Sequence, residues 1–442
     1  MNKNILRLAV PSIVSNITVP LLGLVDLAIV GHIGDARMIG AIAVGSMLFN
    51  LVYWVFGFLR MGTSGLTAQA YGAGNNSELE LLLRRTVLIG FGVAGAMLLL
   101  QKPLLSLAML TVSPEPDVAE LVHTYYNICI WGAPAVLVSN GLMGWFIGMQ
   151  NTRTPMFVAI VQNISNILLS LLLVFLFGMQ LKGVAAGTLI AQYVGLAATV
   201  FFLRKEARKH GLCLSATQRD SAVSADSTGE STAKGWGTMF RVNSDIFLRT
   251  LCLVGVNLYF LSMGARSGAT VLAVNTLLME FYILFSFILD GFAFAGEALG
   301  GRYWGAGEKA LFAETVKRLF VWGFGMTLMF TILYIFCGHL IVSLLTSDMS
   351  VVDASRQYMS WTWLIPLAGV AAFVWDGIYI GITATRGMLL SAIVSAVFFF
   401  VIDHFLHPYY GNHALWMSFL VFLAMRGIMQ TIIYFLRLAP SR

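Results

Sequence analysis

Charged residues are scarce in this sequence. Only 11% of its 442 residues are Asp, Glu, Lys or Arg, whereas 58% are hydrophobic, and the mean hydropathy is +0.82. A soluble chain carries roughly a quarter charged residues. This shortage excludes a soluble globular protein and predicts a polytopic membrane protein whose surroundings are the lipid bilayer.

Cysteine is also rare, and the motifs of common enzymes are missing. The four cysteines show no CxxC spacing, which indicates neither a disulfide framework nor a zinc site: Cys129, Cys213, Cys252 and Cys337. No Walker A loop, HExxH, GxSxG or Rossmann fingerprint occurs. We therefore expect no enzymatic activity, no cofactor and no metal, and any transport has to be driven by an ion gradient.

The distribution of basic residues indicates topology. The net charge of +6 does not predict nucleic-acid binding, because Lys and Arg lie between hydrophobic runs. Twelve runs have spanning length: 8–31, 43–68, 86–109, 124–149, 155–178, 183–203, 247–264, 271–299, 316–345, 359–382, 387–406 and 414–436. Most of the 27 basic residues fall on the side that holds both termini and segment 204–245, so these are predicted to be cytoplasmic. The apolar N-terminus is interpreted as a retained helix 1 in the cell membrane, not a cleaved signal peptide.

The sequence repeats itself at an offset of 233 residues. Three pairs share this offset: GAG at 72–74 and 305–307, LRR at 83–85 with VKR at 316–318, and GWFIGMQNTR at 144–153 with GIYIGITATR at 377–386. Basic pairs at the same offset give both halves the same orientation, as in a parallel repeat about an axis along the membrane normal.

The repeat and the polar segment predict the domain organisation. We expect an all-α protein with about twelve transmembrane helices in two six-helix lobes, 1–203 and 246–442, around a central cavity. Segment 204–245 is rich in Ser, Thr, Ala and Gly and is predicted to be a flexible linker. Because one chain with two lobes can enclose one path, we expect it to function as a monomer.

The first apolar run contains an acid, Asp26, about 22 Å along the predicted helix from its first proline. An ionised Asp at mid-bilayer costs roughly 3 kcal/mol, so such a residue normally faces a cavity or changes its protonation state. The alternative is an inert buried acid bonded to Asn16 or another helix. Asn140, Asn163 and Asn166 could supply hydrogen bonds that set the pKa of Asp26, or could simply tie helices together.

Two prolines, Pro11 and Pro20, flank the approach to Asp26. Proline inside a helix removes a backbone hydrogen bond and permits a kink. A kink at either position could couple protonation of Asp26 to the shape of helix 1. The alternative is a static kink that only fits the helix into its bundle.

Further acids lie in the runs of the second lobe. Asp376 and Glu280 lie inside runs, and Asp290 and Glu297 are seven residues apart on nearly the same helix face, near the cytoplasmic end. We expect all four as cavity acids. For Asp290 and Glu297 the competing interpretation is a structural salt bridge with Arg302. None of the acids is repeated between the lobes, so each lobe has acquired its own chemistry.

Several stretches resemble one known family. They are NITVPLLGLVDLAIVGHIG (16–34), FLRMGTSGLTAQAYGA (58–73), DIFLRTLCL (245–253), LDGFAFAGEALGG (289–301), WDGIYIGITATR (375–386) and GNHALW (411–416). This pattern resembles the DinF branch of the MATE (multidrug and toxic compound extrusion) transporters over nearly the whole chain. The resemblance implies twelve helices in two lobes and export of organic cations or other toxic compounds in exchange for protons or sodium.

The resemblance also implies roles for single residues. Asp26 resembles the proton-coupling acid of helix 1, and Pro11 resembles the proline at which that helix bends. Asn166 matches the first residue of the helix-5 NxxxD pattern, but Ser170 stands where many members have Asp, which puts a two-carboxylate relay in doubt. Asp376 resembles the helix-10 acid of sodium-driven members, although run 247–264 contains no acid to complete such a site.

We therefore predict a secondary active antiporter that exports lipophilic or cationic toxic compounds in exchange for protons, with sodium as the alternative counter-ion. The 21 Met and 31 Phe residues suit a cavity for lipophilic cations, although such residues mostly face lipid or other helices. One alternative is a flippase for a lipid-linked precursor, which needs an Arg-lined cavity, whereas the predicted cavity acids outnumber Arg60 and Arg426. Another is a non-transporting membrane enzyme or scaffold that uses the histidines near the last connection: His404, His407 and His413.

Overall fold

The protein is helical almost throughout. The computed structural model describes residues 1–31, 36–112, 115–212, 229–346 and 348–438, at some helical positions for the backbone only, and these residues contain no strand. The α-helices are α1 (Asn2–Gly31), α2 (Ala36–Val55), α3 (Phe58–Gly72), α4 (Asn76–Leu99), α5 (Gln101–Val112), α6 (Pro116–Cys129), α7 (Ala133–Gly148), α8 (Arg153–Leu171), α9 (Gln180–Lys209), α10 (Gly229–Arg266), α11 (Ala269–Gly305), α12 (Lys309–Leu345), α13 (Met349–Gly381), α14 (Thr385–Tyr410) and α15 (Asn412–Ile433). Short π-helical turns, Leu172–Leu176 and Tyr434–Leu438, follow α8 and α15.

Eleven helical segments of the described residues are long and apolar enough to cross a membrane, with α2 and α3 forming one segment and α6 and α7 another. They overlap eleven of the twelve predicted spans. The remaining predicted span, 8–31, lies within α1, a helix of 30 residues. These helices confirm the predicted all-α polytopic fold.

The predicted span 86–109 is divided between two helices. Helix α4 already begins at Asn76, because the side chain of Asn75 caps it by accepting a hydrogen bond from the Glu78 backbone N–H at 3.0 Å. The helix ends at Leu99, and the rest of the predicted span lies in α5, where Pro103 occupies the first turn. Hydropathy alone does not detect a polar cap or a break inside an apolar run.

The predicted linker 204–245 is helical at both of its ends. Residues 204–209 continue α9 and residues 229–245 begin α10, while 213–228 lie outside the described residues. Arg208 and Lys209 occupy the last turn of α9, where positive charge interacts favourably with the helix dipole. The apolar runs predicted only the membrane-embedded part of each helix.

The chain divides into two compact units. The N-terminal unit comprises Val14–Arg241, and the C-terminal unit comprises Met1–Ile13 together with Val242–Arg442. Helix α1 therefore contributes to both units. Its first part packs on α11, because a Cβ built on Gly291 would lie 2.3 Å from Cγ1 of Ile13 and 2.9 Å from the Ala9 carbonyl oxygen.

Glycines allow two helices to approach closely in each unit. In the N-terminal unit, a Cβ on Gly144 of α7 would lie 2.2 Å from the carbonyl oxygen of Arg60 on α3. In the C-terminal unit, a Cβ on Gly377 of α13 would lie 2.2 Å from the carbonyl oxygen of Ala293 on α11. Both glycines and both partners are separated by the repeat offset of 233 residues. Small residues that let backbones approach are typical of helix crossings in membranes.

Candidate functional site

Helix α1 contains the acid on which the sequence argument rests. Asp26 and Pro20 lie within α1, but their side chains are outside the described part of the structure. Pro11 is buried in the same helix. It lies two residues before Ile13, the last residue of α1 that belongs to the C-terminal unit. The predicted bending proline therefore lies close to the point where α1 passes from one unit to the other.

Helix α8 contacts α1 through one of the predicted asparagines. Asn163 is half-buried and donates a hydrogen bond from Nδ2 to the carbonyl oxygen of Thr18 at 3.1 Å. Thr18 precedes Asp26 by eight residues, about 12 Å along an α-helix. The contact links α8 to the part of α1 that bears Asp26. Asn140 is half-buried on α7, and no hydrogen bond among the described residues joins it to Asn163.

Asn166 lies in a tightly packed interior between α8 and α9. It is 1% exposed, and its Nδ2 donates a hydrogen bond to Thr188 Oγ1 at 3.0 Å. Its Oδ1 atom, like Oγ of the fully buried Ser170 one turn further on, has no hydrogen-bond partner among the described residues. Gly187 lies against Ser170, since a Cβ there would be 2.6 Å from Ser170 Oγ. Two unpartnered polar atoms therefore lie in the interior of the N-terminal unit.

Asp376 is the centre of a buried ion cluster in the C-terminal unit. It is 7% exposed on α13, and its Oδ2 accepts hydrogen bonds from Arg249 on α10 and from Nη2 of Arg426 on α15, the latter at 2.5 Å. Its Oδ1 accepts from Nε2 of Gln430, one turn after Arg426, at 2.7 Å. Both arginines are buried. The carboxylate is thus paired with two positive charges.

This cluster differs from the sequence-based expectation. Asp376 was predicted to be a cavity acid, but it is buried and paired. Neither arginine was predicted as a partner of Asp376, and Arg426 was noted only as an arginine inside an apolar run. Two features of the sequence could have indicated the partners of Asp376. A lone arginine inside a membrane span is costly and needs an acid, and Arg426 and Gln430 are four residues apart on one helix face.

The other three acids predicted for the second lobe all lie on α11, at different degrees of burial. Glu297 is 1% exposed, and its carbonyl oxygen lies against Gly381 of α13. Asp290 is half-buried and interacts electrostatically with Arg249. Glu280 is exposed. The structure therefore does not bring the four acids together.

The histidines near the last connection have separate surroundings. Asp403 is fully buried, and its carboxylate lies 3.2 Å from His407 Nδ1 and accepts a hydrogen bond from the Tyr259 hydroxyl at 2.9 Å. His413 instead accepts a hydrogen bond from Trp361 Nε1 at Nδ1, at 3.0 Å. The described residues contain no group of three or more His, Cys, Asp or Glu placed to hold a metal.

Two stretches of the chain, residues 11–172 and 246–405, match the MatE family model. The chain belongs to the MATE family of membrane transporters. The matched stretches cover most of the chain and fall in the two halves of the sequence repeat. Membership confirms the predicted resemblance and identifies the protein as a multi-pass membrane transporter.

Similar proteins extend over nearly the same length. DNA damage-inducible protein F of Escherichia coli is 35% identical over 431 residues, which are 97% of this chain and 90% of that protein. The "Probable multidrug resistance protein NorM" of Thermotoga maritima is 26% identical over 377 residues, 80% of this chain and 75% of that protein. The crystal structure of the Vibrio cholerae MATE transporter VcmN in the bent form matches with a TM-score of 0.83 at 18% identity and covers 98% of this chain and 95% of that chain. The last comparison confirms the fold.

Proposed function

We propose that this MATE-family protein is a secondary active antiporter of the cell membrane that exports lipophilic or cationic toxic compounds in exchange for protons. Asp26 is the coupling acid, and Asn163 and Asn166 are its polar surroundings. The names of the relatives, which include a multidrug resistance protein, support the substrate class. Both termini lie in the cytoplasm, as the basic residues indicate.

The observation that favours protons over sodium is the charge balance around Asp376. A carboxylate that accepts hydrogen bonds from Arg249 and Arg426 already has two compensating cations. Asp290 also interacts with Arg249, so two carboxylates already balance the two arginines. A sodium ion bound there would add a third positive charge to a buried site, where an uncompensated charge is costly. The coupling step is therefore assigned to the N-terminal unit, where Asp26 is the only acid within the first predicted span.

A proton on Asp26 can change the position of α1 because this helix contributes to both units. Pro11 lacks the N–H that would complete a helical hydrogen bond, so bending near it is less costly than elsewhere. Protonation removes the charge of Asp26, and an exported cation then loses its counter-charge and is released. Shifting a two-state transporter almost completely requires about 5.5 kcal/mol of differential binding, so substrate contacts and the membrane gradient have to assist the proton.

Neither of the two alternatives is supported by the arrangement of the described residues. A flippase for a lipid pyrophosphate needs accessible arginines, whereas Arg426 is 2% exposed and bonded to Asp376. An enzyme needs a cluster of reactive groups, and the histidines have separate partners. Gradient-driven efflux is therefore the activity to test.

The test is ethidium transport in inside-out vesicles under an imposed pH gradient or an imposed sodium gradient. We expect the pH gradient alone to drive uptake by the wild type and Asp26→Asn to abolish it. Asp117→Asn is the matched control, because this exposed acid pairs only loosely with Arg37, at 3.5 Å. Uptake driven only by sodium would refute proton coupling, and undiminished uptake by a well-expressed Asp26→Asn variant would remove Asp26 from the mechanism.

A further inference from the structure

We propose that Glu280 recognises positive charge on the exported compound and sets the preference for multiply charged cations. This inference rests on the proposed export function and assigns it a residue outside the coupling site. Glu280 lies on α11, eleven residues after Ala269 and about 16 Å along the helix, inside the predicted span 271–299. It is exposed, and among the described residues no hydrogen bond or ion pair engages its carboxylate.

The exposure of Glu280 distinguishes it from the other acids inside the predicted spans of the C-terminal unit, of which Asp290 is half-buried and the rest are buried. Asp376 is paired with two arginines, Asp403 is fully buried beside Tyr259, and Glu297 is 1% exposed. An ionised side chain that faces hydrocarbon is costly, so acids inside spans face protein or water. Since the exposed carboxylate of Glu280 has no hydrogen-bond or ion-pair partner among the described residues, we infer that its exposed side faces water within the membrane and not hydrocarbon.

The same face of α11 suits an amphipathic ligand. Thr276 one turn before Glu280 and Leu284 one turn after it are also exposed. This stripe presents a hydroxyl, a carboxylate and an apolar side chain along about 12 Å of helix. A lipophilic cation needs this combination, because apolar contacts supply affinity and a charged group fixes orientation and specificity.

The internal repeat supports a binding role for this position. In this part of the repeat the offset is 230 residues, since AIAV at 41–44 pairs with VLAV at 271–274. Glu280 then corresponds to Asn50 on α2, which is exposed as well. Met47 and Trp54, one turn to either side of Asn50, are 48% and 43% exposed. Thioether and indole groups accept flat cations of varied shape. Both units thus present an exposed polar side chain at equivalent positions, but only the C-terminal unit has a negative charge there.

The test compares ethidium with propidium, which share one ring system but have one and two permanent positive charges. Uptake into inside-out vesicles is measured for the wild type, Glu280→Gln and Glu280→Asp. An accessible charge contact is worth about 5-fold in affinity. We therefore expect Glu280→Gln to raise KM about 5-fold for ethidium and roughly by the square of this factor for propidium, with kcat nearly unchanged. Glu280→Asp is expected to restore most of the preference for propidium over ethidium. Glu314→Gln, an exposed carboxylate paired with Arg318 at 3.5 Å, is the matched control.

An unchanged ratio of the two KM values in Glu280→Gln would overturn the proposal while leaving export intact. If the wild type transports neither dye, the proposed function fails. The role of Glu280 is then decided by equilibrium binding to the purified protein, where the ratio of the Kd values for the two dyes replaces the ratio of the KM values. Water exposure is measured separately with Glu280→Cys in a chain whose four cysteines are replaced. We expect this cysteine to react with a membrane-impermeant cationic thiol reagent, and propidium to slow the reaction. Reaction with apolar maleimides alone would refute the inference that position 280 faces water.

Discussion

Arg249 donates a hydrogen bond to the carboxylate of Asp376, a residue 127 positions away in the sequence and on another helix. Arg426 donates to the same oxygen, so one buried acid holds together α10, α13 and α15. In a membrane protein this arrangement has two consequences. It fixes three helices of the C-terminal unit, and it supplies the negative charge of Asp376 with counter-charges from the protein itself.

We predict that Asp376→Asn destabilises the protein more than Arg249→Met. Without the carboxylate, two guanidinium groups remain buried with only the half-buried Asp290 near Arg249 to balance them, a loss of about 3–5 kcal/mol. Without Arg249, Asp376 keeps Arg426 and Gln430, so the loss is smaller. The double variant is expected to recover part of the stability lost in Asp376→Asn. Thermal unfolding in detergent, followed by tryptophan fluorescence, measures these differences.

Glu314→Gln is the control for that series, since both residues of the Glu314–Arg318 pair are 45% exposed and such pairs contribute about 1 kcal/mol or less. Greater damage from Arg249→Met than from Asp376→Asn would contradict the charge balance that we derive. It would mean that Arg249 contributes mainly by packing.

Gly144→Ala and Gly377→Ala are predicted to destabilise their units to a similar degree. Each added methyl group would lie 2.2 Å from a backbone carbonyl oxygen, and helices have to separate to admit it. Overpacking of this kind costs about 1–3 kcal/mol. Gly325→Ala on α12 is the control, because no atom lies within 4 Å of its added Cβ and alanine is the better helix former. Unfolding temperatures that fall for all three variants would show that the close crossings are not the cause.

The spans and the internal repeat were the predictable parts of the fold. Spans are recognised as apolar runs, and the repeat as a motif such as GWFIGMQNTR that recurs in similar form at a fixed offset. Any residue pattern with its own period is visible without tertiary contacts. The helix ends were less predictable, because a cap such as Asn75 is polar and lies outside the apolar run.

The site was less predictable than the fold for a physical reason. Each intramembrane acid was predicted from the cost of its charge in lipid, which identifies residues that need a partner but does not identify the partner. Arg249 lies near the start of an apolar run, where a basic residue usually indicates the cytoplasmic end of a span. In the structure its side chain is buried and donates a hydrogen bond to Asp376. Asn163 and Asn166 were predicted as polar neighbours of Asp26, which stays a prediction, and the partners that the structure gives them, Thr18 and Thr188, were not predicted.

Replacement of Ser170 separates packing from coupling in the N-terminal unit. Ser170→Ala is expected to be neutral or slightly stabilising, because the hydroxyl is buried without a partner among the described residues. Ser170→Asp, which restores the NxxxD pattern, is expected to destabilise because Gly187 leaves no room for a larger side chain. Stability and ethidium transport are measured on the same preparations. A stable, fully active Ser170→Asp variant would show that α8 and α9 can separate at this point.

Tyr259→Phe is predicted to destabilise the C-terminal unit by about 1.5–3 kcal/mol, the usual value for a lost hydrogen bond to a charged group. The Tyr259 hydroxyl donates to Asp403 at 2.9 Å, and Asp403 is fully buried, so water cannot replace the lost donor without opening the packing between α10 and α14. Tyr193→Phe is the matched control, since its hydroxyl donates to the neutral carbonyl oxygen of Trp131 at an exposed position. Adding Asp403→Leu to Tyr259→Phe removes both partners and is expected to recover stability relative to the single change. If the double variant is less stable than Tyr259→Phe, the carboxylate is held mainly by His407, and the hydroxyl contributes little.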